Sequence, residues 1–310
     1  MKTVISPAPH IRSAVTTSRI MFSVFLALIP AGIWGVFRFG IKSFYIILTS
    51  VISCMVTEFI SRRFIFKKKV TLCDGSAALT GLLMAYCLSP EIRIWQVCVG
   101  AFFAIFITKE CFGGLGFNIF NPALIGRAVL LASFPTNMTS WQIDGITSAT
   151  PLAVIKEKLP DILPSYMDII VGNIPGSIGE VSKVLLICGA AYLLFKKIIS
   201  WHIPFSFIFS VGVLSVFFGR DPLFEIFSGG VILGAFFMAT DYVTCPIFVP
   251  GRLIFGLGCG FFTVIIRNFG SYPEGVCYAI LIMNALSPLI DKYTAPRVFG
   301  TNKRLYERYC

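Results

Sequence analysis

The chain has 310 residues, of which 56% are hydrophobic and only 13% charged, and its mean hydropathy is +0.83. Soluble domains carry about 25% charged residues, so this composition excludes an ordinary soluble protein and points to a polytopic membrane protein. The net charge of +11 is no argument for nucleic acid, because basic residues gather at the ends of apolar segments, where membrane topology accounts for them.

Residues 1–19 are polar, and no cleavable signal is expected, since the first apolar segment is long enough to span. Ten apolar segments follow, at about 20–37, 43–60, 76–90, 94–108, 119–134, 183–200, 204–218, 223–240, 253–267 and 275–290. Several fall short of the ~20 residues that a straight span needs, which predicts tilted or broken helices buried among others. With a cytoplasmic N-terminus, 17 of the 26 Lys and Arg residues fall inside and nine outside. Both termini are therefore expected in the cytoplasm, and the long polar connection from about 135 to 182 on the outer side.

Between the fourth and fifth segments stands Lys109-Glu110-Cys111-Phe112-Gly113-Gly114-Leu115-Gly116-Phe117-Asn118-Ile119-Phe120-Asn121-Pro122-Ala123, with Arg127 beyond. Its glycines permit positive φ and close approach to a ligand, and Asn118 or Asn121 can cap the helix that Pro122 starts. The N-terminus of that helix favours an anion, with Arg127 about a turn further along. A tight turn between two membrane helices is the simpler reading of the same residues. In the outer connection, Asp144 and Gly145 precede Thr147-Ser148-Ala149-Thr150-Pro151-Leu152. Pro151 pushes Thr150 toward an extended conformation, and small neighbours leave its hydroxyl presented outward at a loop tip. Taken alone, these residues read as a Ser/Thr-rich turn.

Asp241 follows an apolar run, and an intramembrane carboxylate is a functional candidate by default, so an ion path and a structural role both stand. Asp74 and Glu110 lie at segment ends and read as solvated, as do Asp291, Lys292, Arg297, Lys303, Arg304 and Arg308 in a cytoplasmic tail. The ten Cys stand singly without a Cys-x-x-Cys, mostly inside apolar segments, where a free Cys acts as a small hydrophobe. Cys111 beside the glycine run is read in the same way. His10 and His202 are far apart, and no metal site is expected.

The glycine run with Arg127 and the Thr150 loop stand in the order and at the separation found in the family of the D subunits of Rnf complexes and the B subunits of sodium-pumping NADH:quinone reductases. The chain resembles that family over essentially its whole length, with Ser6-Pro7-Ala8-Pro9-His10-Ile11-Arg12 and Phe237-Met238-Ala239-Thr240-Asp241 extending the likeness. The short polar N-terminus favours the D type.

The resemblance implies an all-α polytopic membrane protein with about ten transmembrane helices in two inverted five-helix repeats, similar to urea channels. The N-terminal repeat would be 1–134, the outer-side loop 135–182, the C-terminal repeat 183–290 and the cytoplasmic tail 291–310. A faint internal likeness agrees: Leu82-Leu83-Met84-Ala85 matches Phe236-Phe237-Met238-Ala239, and Phe102-Phe103 leading to Lys109 parallels Phe261-Phe262 leading to Arg267. Such repeats commonly place a site near the membrane midplane.

It further implies FMN joined through its phosphate to the Thr150 hydroxyl, a phosphoester of the phosphoprotein type. Ser148, Asp144, Gly113, Gly114, Asn118, Asn121 and Arg127 are the candidate flavin contacts. Riboflavin, held without a covalent bond within the membrane, is a candidate second cofactor. A flavin transferase would attach the FMN on the outer side. The implied setting is the bacterial cytoplasmic membrane, in a translocase that couples electron transfer between ferredoxin and NAD to Na⁺ or H⁺ movement. Its electrons would come from the covalent FMN of the G subunit, with the A, E and C subunits as further partners. With no G-x-G-x-x-G after a strand, NAD belongs on another subunit. The rivals are a B-type subunit of a quinone reductase and a small-solute channel or transporter of urea-channel type, which has no need of the Thr150 loop.

Overall fold

A computed structural model describes residues 15–143, 146–147, 149–157 and 163–296. Asp144, Gly145, Ser148, the opening Ser6 to Arg12 motif and the tail from Arg297 to Cys310 lie outside the described residues.

The first helices, α1 (Thr17–Phe39) and α2 (Ile41–Ile65), form a hairpin whose reversal rests on Gly40 at φ 83°. Thr16 caps α1 by accepting from Arg19 N–H at 3.4 Å. Then come α3 (Ser76–Tyr86), α4 (Ile94–Phe102, prolonged by a π-helical stretch Phe103–Glu110) and α5 (Pro122–Ser133). The 135–182 connection holds α6 (Pro135–Thr139), α7 (Pro151–Glu157) and α8 (Tyr166–Val171). Between α6 and α7 lies a small antiparallel hairpin of β1 (Gln142–Ile143) and β2 (Ile146–Thr147), the only strands among the described residues. The chain ends with α9 (Lys183–Phe195), α10 (His202–Phe217), α11 (Pro222–Phe227), α12 (Val231–Leu233, prolonged by a π-helical stretch Gly234–Met238), α13 (Val249–Phe269) and α14 (Val276–Thr294). All ten apolar segments fall on these helices, and the eighth is split between α11 and α12.

The packing is inside-out relative to a soluble bundle. On α1 the buried face is Ala27, Leu28, Ala31, Gly32 and Gly35, while Phe22, Leu26, Ile33 and Phe37 are exposed. Likewise α2 buries Ser43, Ser50, Cys54 and Glu58 and exposes Phe44, Leu48, Ile52 and Phe59. Small and polar residues let helix backbones approach where lipid is as apolar as leucine. Gly256 and Gly260 of α13 show this best: a Cβ on either would lie under 3 Å from the Ile203 or Phe207 carbonyl oxygen of α10. Helices α1, α2 and α13 are long and apolar enough to cross a membrane, with mean hydropathies of 2.2, 1.8 and 1.8. The chain is a multi-pass membrane protein.

The expected broken helices are present. At 11 residues, α3 is roughly 16 Å long and covers about half of a hydrocarbon core. A helix that stops inside lipid leaves carbonyls that must be satisfied within the protein. Here the end of the 135–182 connection reaches in: Ile178 N–H donates to Leu88 O and Gly179 N–H to Tyr86 O, each at 3.1 Å. Gly179 fits because a Cβ there would sit 2.1 Å from the Tyr86 ring. The connection is therefore partly a core element, with Ser177, Glu180 and Val181 buried. At the other end, α14 runs beyond residue 290 and Asp291 accepts from Ile247 N–H at 2.9 Å, so Asp291 and Lys292 belong to the last turns of a helix, with Lys292 exposed as expected.

Two buried charge clusters tie the helices together. In the first, Lys109 of α4 donates to Glu58 of α2 at 2.9 Å and to Ser76 Oγ of α3 at 2.7 Å, while Arg62 bonds Glu110 at 3.0 Å and approaches Glu58 at 3.3 Å. Glu110, expected from sequence to be solvated, is buried, because its partner Arg62 lies 48 residues away in the chain. Asp74 does keep a local role, accepting from Ser76 N–H at 2.8 Å and Ser76 Oγ at 2.7 Å. In the second cluster, Arg267 of α13 bonds Glu225 of α11 at 2.6 Å, and Arg220 bonds the same carboxylate at 2.9 Å. Lys109 and Arg267 are each 1% exposed.

Removing one partner of a buried pair leaves an uncompensated charge, at a cost of about 3–5 kcal/mol, whereas removing both is often near neutral. Glu58→Leu should therefore lower the thermal stability of the detergent-solubilised protein sharply, and Glu58→Leu with Lys109→Met should recover most of the loss. A double variant as unstable as the single one would show that the pair is not what holds α2 to α4.

Candidate functional site

Helix α5 links two cavities. Asn121 accepts from Ala123 N–H at 3.1 Å and Pro122 takes the first helical position, so of the two candidate caps it is Asn121 that starts the helix. Its side-chain amide donates to Met238 O at 3.2 Å, which fixes the helix start against the π-helical end of α12. Asn118 instead donates to Phe120 O at 3.1 Å and shapes the preceding turn. Six residues after Asn121, roughly 9 Å along the axis, comes Arg127.

Arg127 and Thr150 line one cavity of ≈310 Å³, walled by Trp141, Met138, Tyr272 and Glu274. That lies at the lower end of the roughly 300–1,000 Å³ typical of ligand sites. Thr150 is only 4% exposed, a correction to the outward loop tip expected from sequence. Its hydroxyl accepts from Ala153 N–H at 3.3 Å and its carbonyl from Val154 N–H at 3.0 Å, so Thr150 caps α7 and Pro151 is the first residue of that helix. Lys156 fastens α7 to the loop before α14, donating to Gly270 O at 2.5 Å and Tyr272 O at 2.7 Å. Partial burial lowers the pKa of this ammonium.

The electrostatics of this site are lopsided. Arg127 pairs with Glu274, yet its Nε is buried without a partner. Behind Thr150, Lys183 donates to the backbone carbonyls of Glu180 and Gly229, and Glu180 Oε2 is buried without a partner. Together with Lys156 and the Arg220, Glu225 and Arg267 cluster, five buried or half-buried cations face the three buried or half-buried carboxylates Glu180, Glu225 and Glu274 and the exposed Glu157 on the cavity wall. The site is short of one anion.

The second cavity is a crevice of ≈80 Å³ at the other end of α5, lined by Ser76, Lys109, Asn118, Asn121, Thr240 and Asp241. Asp241 follows the π-helical end of α12 and accepts from Thr244 Oγ1 at 3.2 Å. The glycine run lies close by, with Gly113, Gly114 and Gly116 at φ 126°, 105° and 97°, as its sequence requires. Lys68 donates to Gly113 O at 3.3 Å, and a Cβ on Gly114 would meet the Arg62 guanidinium at 2.8 Å. Cys111 is exposed, which corrects its reading as a packed hydrophobe.

The candidate flavin contacts are therefore divided. Thr150 and Arg127 share the larger cavity, Asn118 and Asn121 line the crevice of ≈80 Å³, and Gly113 and Gly114 stand by the Arg62 pair. Asp144 and Ser148 lie outside the described residues. Glu58, Glu180, Lys183, Glu274, Trp141 and Tyr272 join these sites without having been expected there. A signal exists for Glu58, a carboxylate inside an apolar segment with Arg four residues on; Glu274 and Tyr272 carry none, being brought to Thr150 from more than 120 residues away.

A model of the NQR2, RnfD, RnfE family matches residues 4–300. The chain is 47% identical to the D subunit of the proton-translocating ferredoxin:NAD(+) oxidoreductase complex of Clostridium ljungdahlii, with 96% of each chain covered. It is 43% identical to the D subunit of the Na(+)-translocating ferredoxin:NAD(+) oxidoreductase complex of Acetobacterium woodii, again with 96% of each covered. Identity to the D subunit of the ion-translocating oxidoreductase complex of Escherichia coli O127:H6 is 36%, over 96% of this chain and 99% of the other. With a match of this extent and relatives this similar, the chain belongs to the NQR2, RnfD, RnfE family.

Proposed function

We propose that this chain is the D-type subunit of an ion-translocating ferredoxin:NAD oxidoreductase complex, and that it carries electrons through FMN bound by a phosphoester to Thr150. The observation that carries this reading is the shared cavity of Thr150 and Arg127. A phosphodiester there supplies the one anion that these charges lack, and Arg127, which lines the cavity, is the cation placed to balance it. Trp141 and Tyr272 give the cavity aromatic walls suited to a flat ring system. When bound, FMN supplies one- and two-electron transfer. The residues' part is to hold it: Thr150 anchors the phosphate, Arg127 balances its charge, and Lys156 keeps α7 and Tyr272 in register.

Electrons would arrive from the FMN of the G subunit on the outer side, and the A, E and C subunits complete the complex in the cytoplasmic membrane. A flavin transferase on that side would attach the FMN. A non-covalent riboflavin is retained as a second cofactor without a placed site, since the inner crevice of ≈80 Å³ is smaller than a flavin ring requires. Two inverted five-helix repeats of urea-channel type are supported by matched pairings: α2 packs on α4 as α10 does on α13, and α4 packs on α5 as α13 does on α14. Lys109 and Arg267 end the matched helices, each against a buried carboxylate.

Thr150→Ala should abolish covalent flavin, but it also removes a helix cap worth ~1 kcal/mol. Thr150→Asn separates the two effects, because Asn caps well and has no hydroxyl. Both variants should assemble and yield an unmodified 149–157 peptide by mass spectrometry. An unmodified peptide from the wild-type complex, purified from its native host, would sink the reading.

The distribution of Lys and Arg requires the two ends of the chain inside and the Thr150 connection outside. Reporter fusions after Pro160 and at Cys310 should therefore respond oppositely. Agreement between them would overturn the ten-span arrangement.

Asp241 is proposed as part of the ion path, because it lines the inner crevice with no cation paired to it among the described residues. Asp241→Asn keeps size while removing the charge. In proteoliposomes of the whole complex, flavin content should stay constant while ions moved per electron fall; an unchanged ratio at an unchanged rate would assign Asp241 a structural role only.

A further inference from the structure

A third feature of the bundle is a crevice of ≈550 Å³ at the turn between α9 and α10, lined by Lys197, Ser200, Trp201, Tyr242 and Arg252. It lies away from Thr150, and nothing in the proposed electron path uses it. Two cations, Lys197 and Arg252, line it without an ion pair among the described residues. Arg252 donates to Pro246 O at 3.1 Å and Ser200 Oγ at 3.3 Å, which aims the guanidinium and leaves further donors free.

Lys197 has φ 55°, a left-handed conformation that Gly or Asn adopts with less strain. Lys196 N–H and Lys197 N–H close the end of α9 on Tyr192 O and Leu194 O, both at 3.0 Å, so the turn is well formed. A lysine here costs the backbone something, and what it adds is a cation at the mouth of the crevice. The rim is aromatic: Trp201 is 56% exposed and Tyr242 52%, residues that favour the depth of lipid headgroups. On the apolar side stand Phe195, 92% exposed, and Phe205, 57% exposed.

We propose that this crevice binds the phosphate headgroup of an anionic phospholipid, with Lys197 and Arg252 holding the phosphate and Phe195 and Phe205 lying along the acyl chains. A basic pocket between membrane helices, roofed by interfacial aromatics and open to an apolar face, suits a lipid better than a soluble anion. The site binds and does no chemistry.

The test reconstitutes the whole complex in phosphatidylcholine vesicles doped with photoactivatable phosphatidylglycerol or photoactivatable phosphatidylcholine, and maps cross-links on this chain. Phosphatidylglycerol should label residues 192–205 and 242–252 in preference to phosphatidylcholine. Lys197→Gly with Arg252→Gln should weaken that labelling roughly thirty-fold, the effect of two basic side chains near an anionic headgroup. Lys197→Gly relieves the backbone, so that variant alone keeps the test informative if the double one fails to assemble, and it should lose several-fold. Inorganic phosphate in excess should leave the labelling unchanged. Equal labelling by both lipids, unchanged labelling of the variants, or displacement by inorganic phosphate would each overturn the proposal.

Discussion

Charge buried in an apolar bundle is the constraint on which this molecule's architecture depends. Glu58, Lys109, Glu110, Glu225 and Arg267 are each almost wholly withdrawn from solvent. No such group could stay ionised alone in a low-dielectric interior, so each must meet its partner wherever the chain brings it. The partners come from different helices, Glu58 from α2 for Lys109 of α4 and Glu225 from α11 for Arg267 of α13. Apolar contact among membrane helices is nearly non-directional, since lipid competes equally well for the same surface. The ion pairs do discriminate: a register shift of one residue would separate them, which makes them the elements that fix how the helices sit.

A second requirement, satisfaction of every backbone polar group within lipid, explains why the 135–182 segment is more than a connection. Because α3 stops at Tyr86, carbonyls at residues 86 and 88 need donors, and Gly179 and Ile178 supply them. Those residues can reach in only where glycine and small side chains leave room against Tyr86 and α1. The segment that closes α3 also carries Glu180, which lines the same recess as Thr150 and Lys183. Structure and site are thus built from one stretch of chain.

Much of this is legible in the sequence. The ten apolar segments coincide with helices, Asn121-Pro122 reads as a helix start, and the three glycines adopt the conformations that other residues resist. Exposure is what the sequence conceals. Pro151 restricts the residue before it and so suggests a loop tip at Thr150, yet Thr followed by Pro and an apolar run is equally the signature of a cap and a first helical residue. The position of Glu110 at a segment end is visible and suggests solvent, whereas nothing connects it to Arg62. Burial depends on contacts between residues tens to hundreds of positions apart, as with Glu274 beside Arg127, and a single sequence holds no record of these.

The two cavities lie at opposite ends of a short stretch of α5, and this spacing has an energetic meaning for the proposed function. Arg127 and Asn121 are separated by roughly 9 Å of helix rise. At an effective dielectric constant of about 20, two unit charges that far apart interact by about 2 kcal/mol. On the proposed reading, an electron arriving in the outer cavity would therefore favour a cation in the inner crevice by about twentyfold. Moving one elementary charge against a membrane potential costs about 2.3 kcal/mol per 100 mV. The two magnitudes are comparable, so direct electrostatics through α5 can bias ion occupancy. On the same reading, sustained pumping against a larger potential would require more than this interaction supplies, namely a movement where the short helices α5 and α12 meet at Asn121 and Met238.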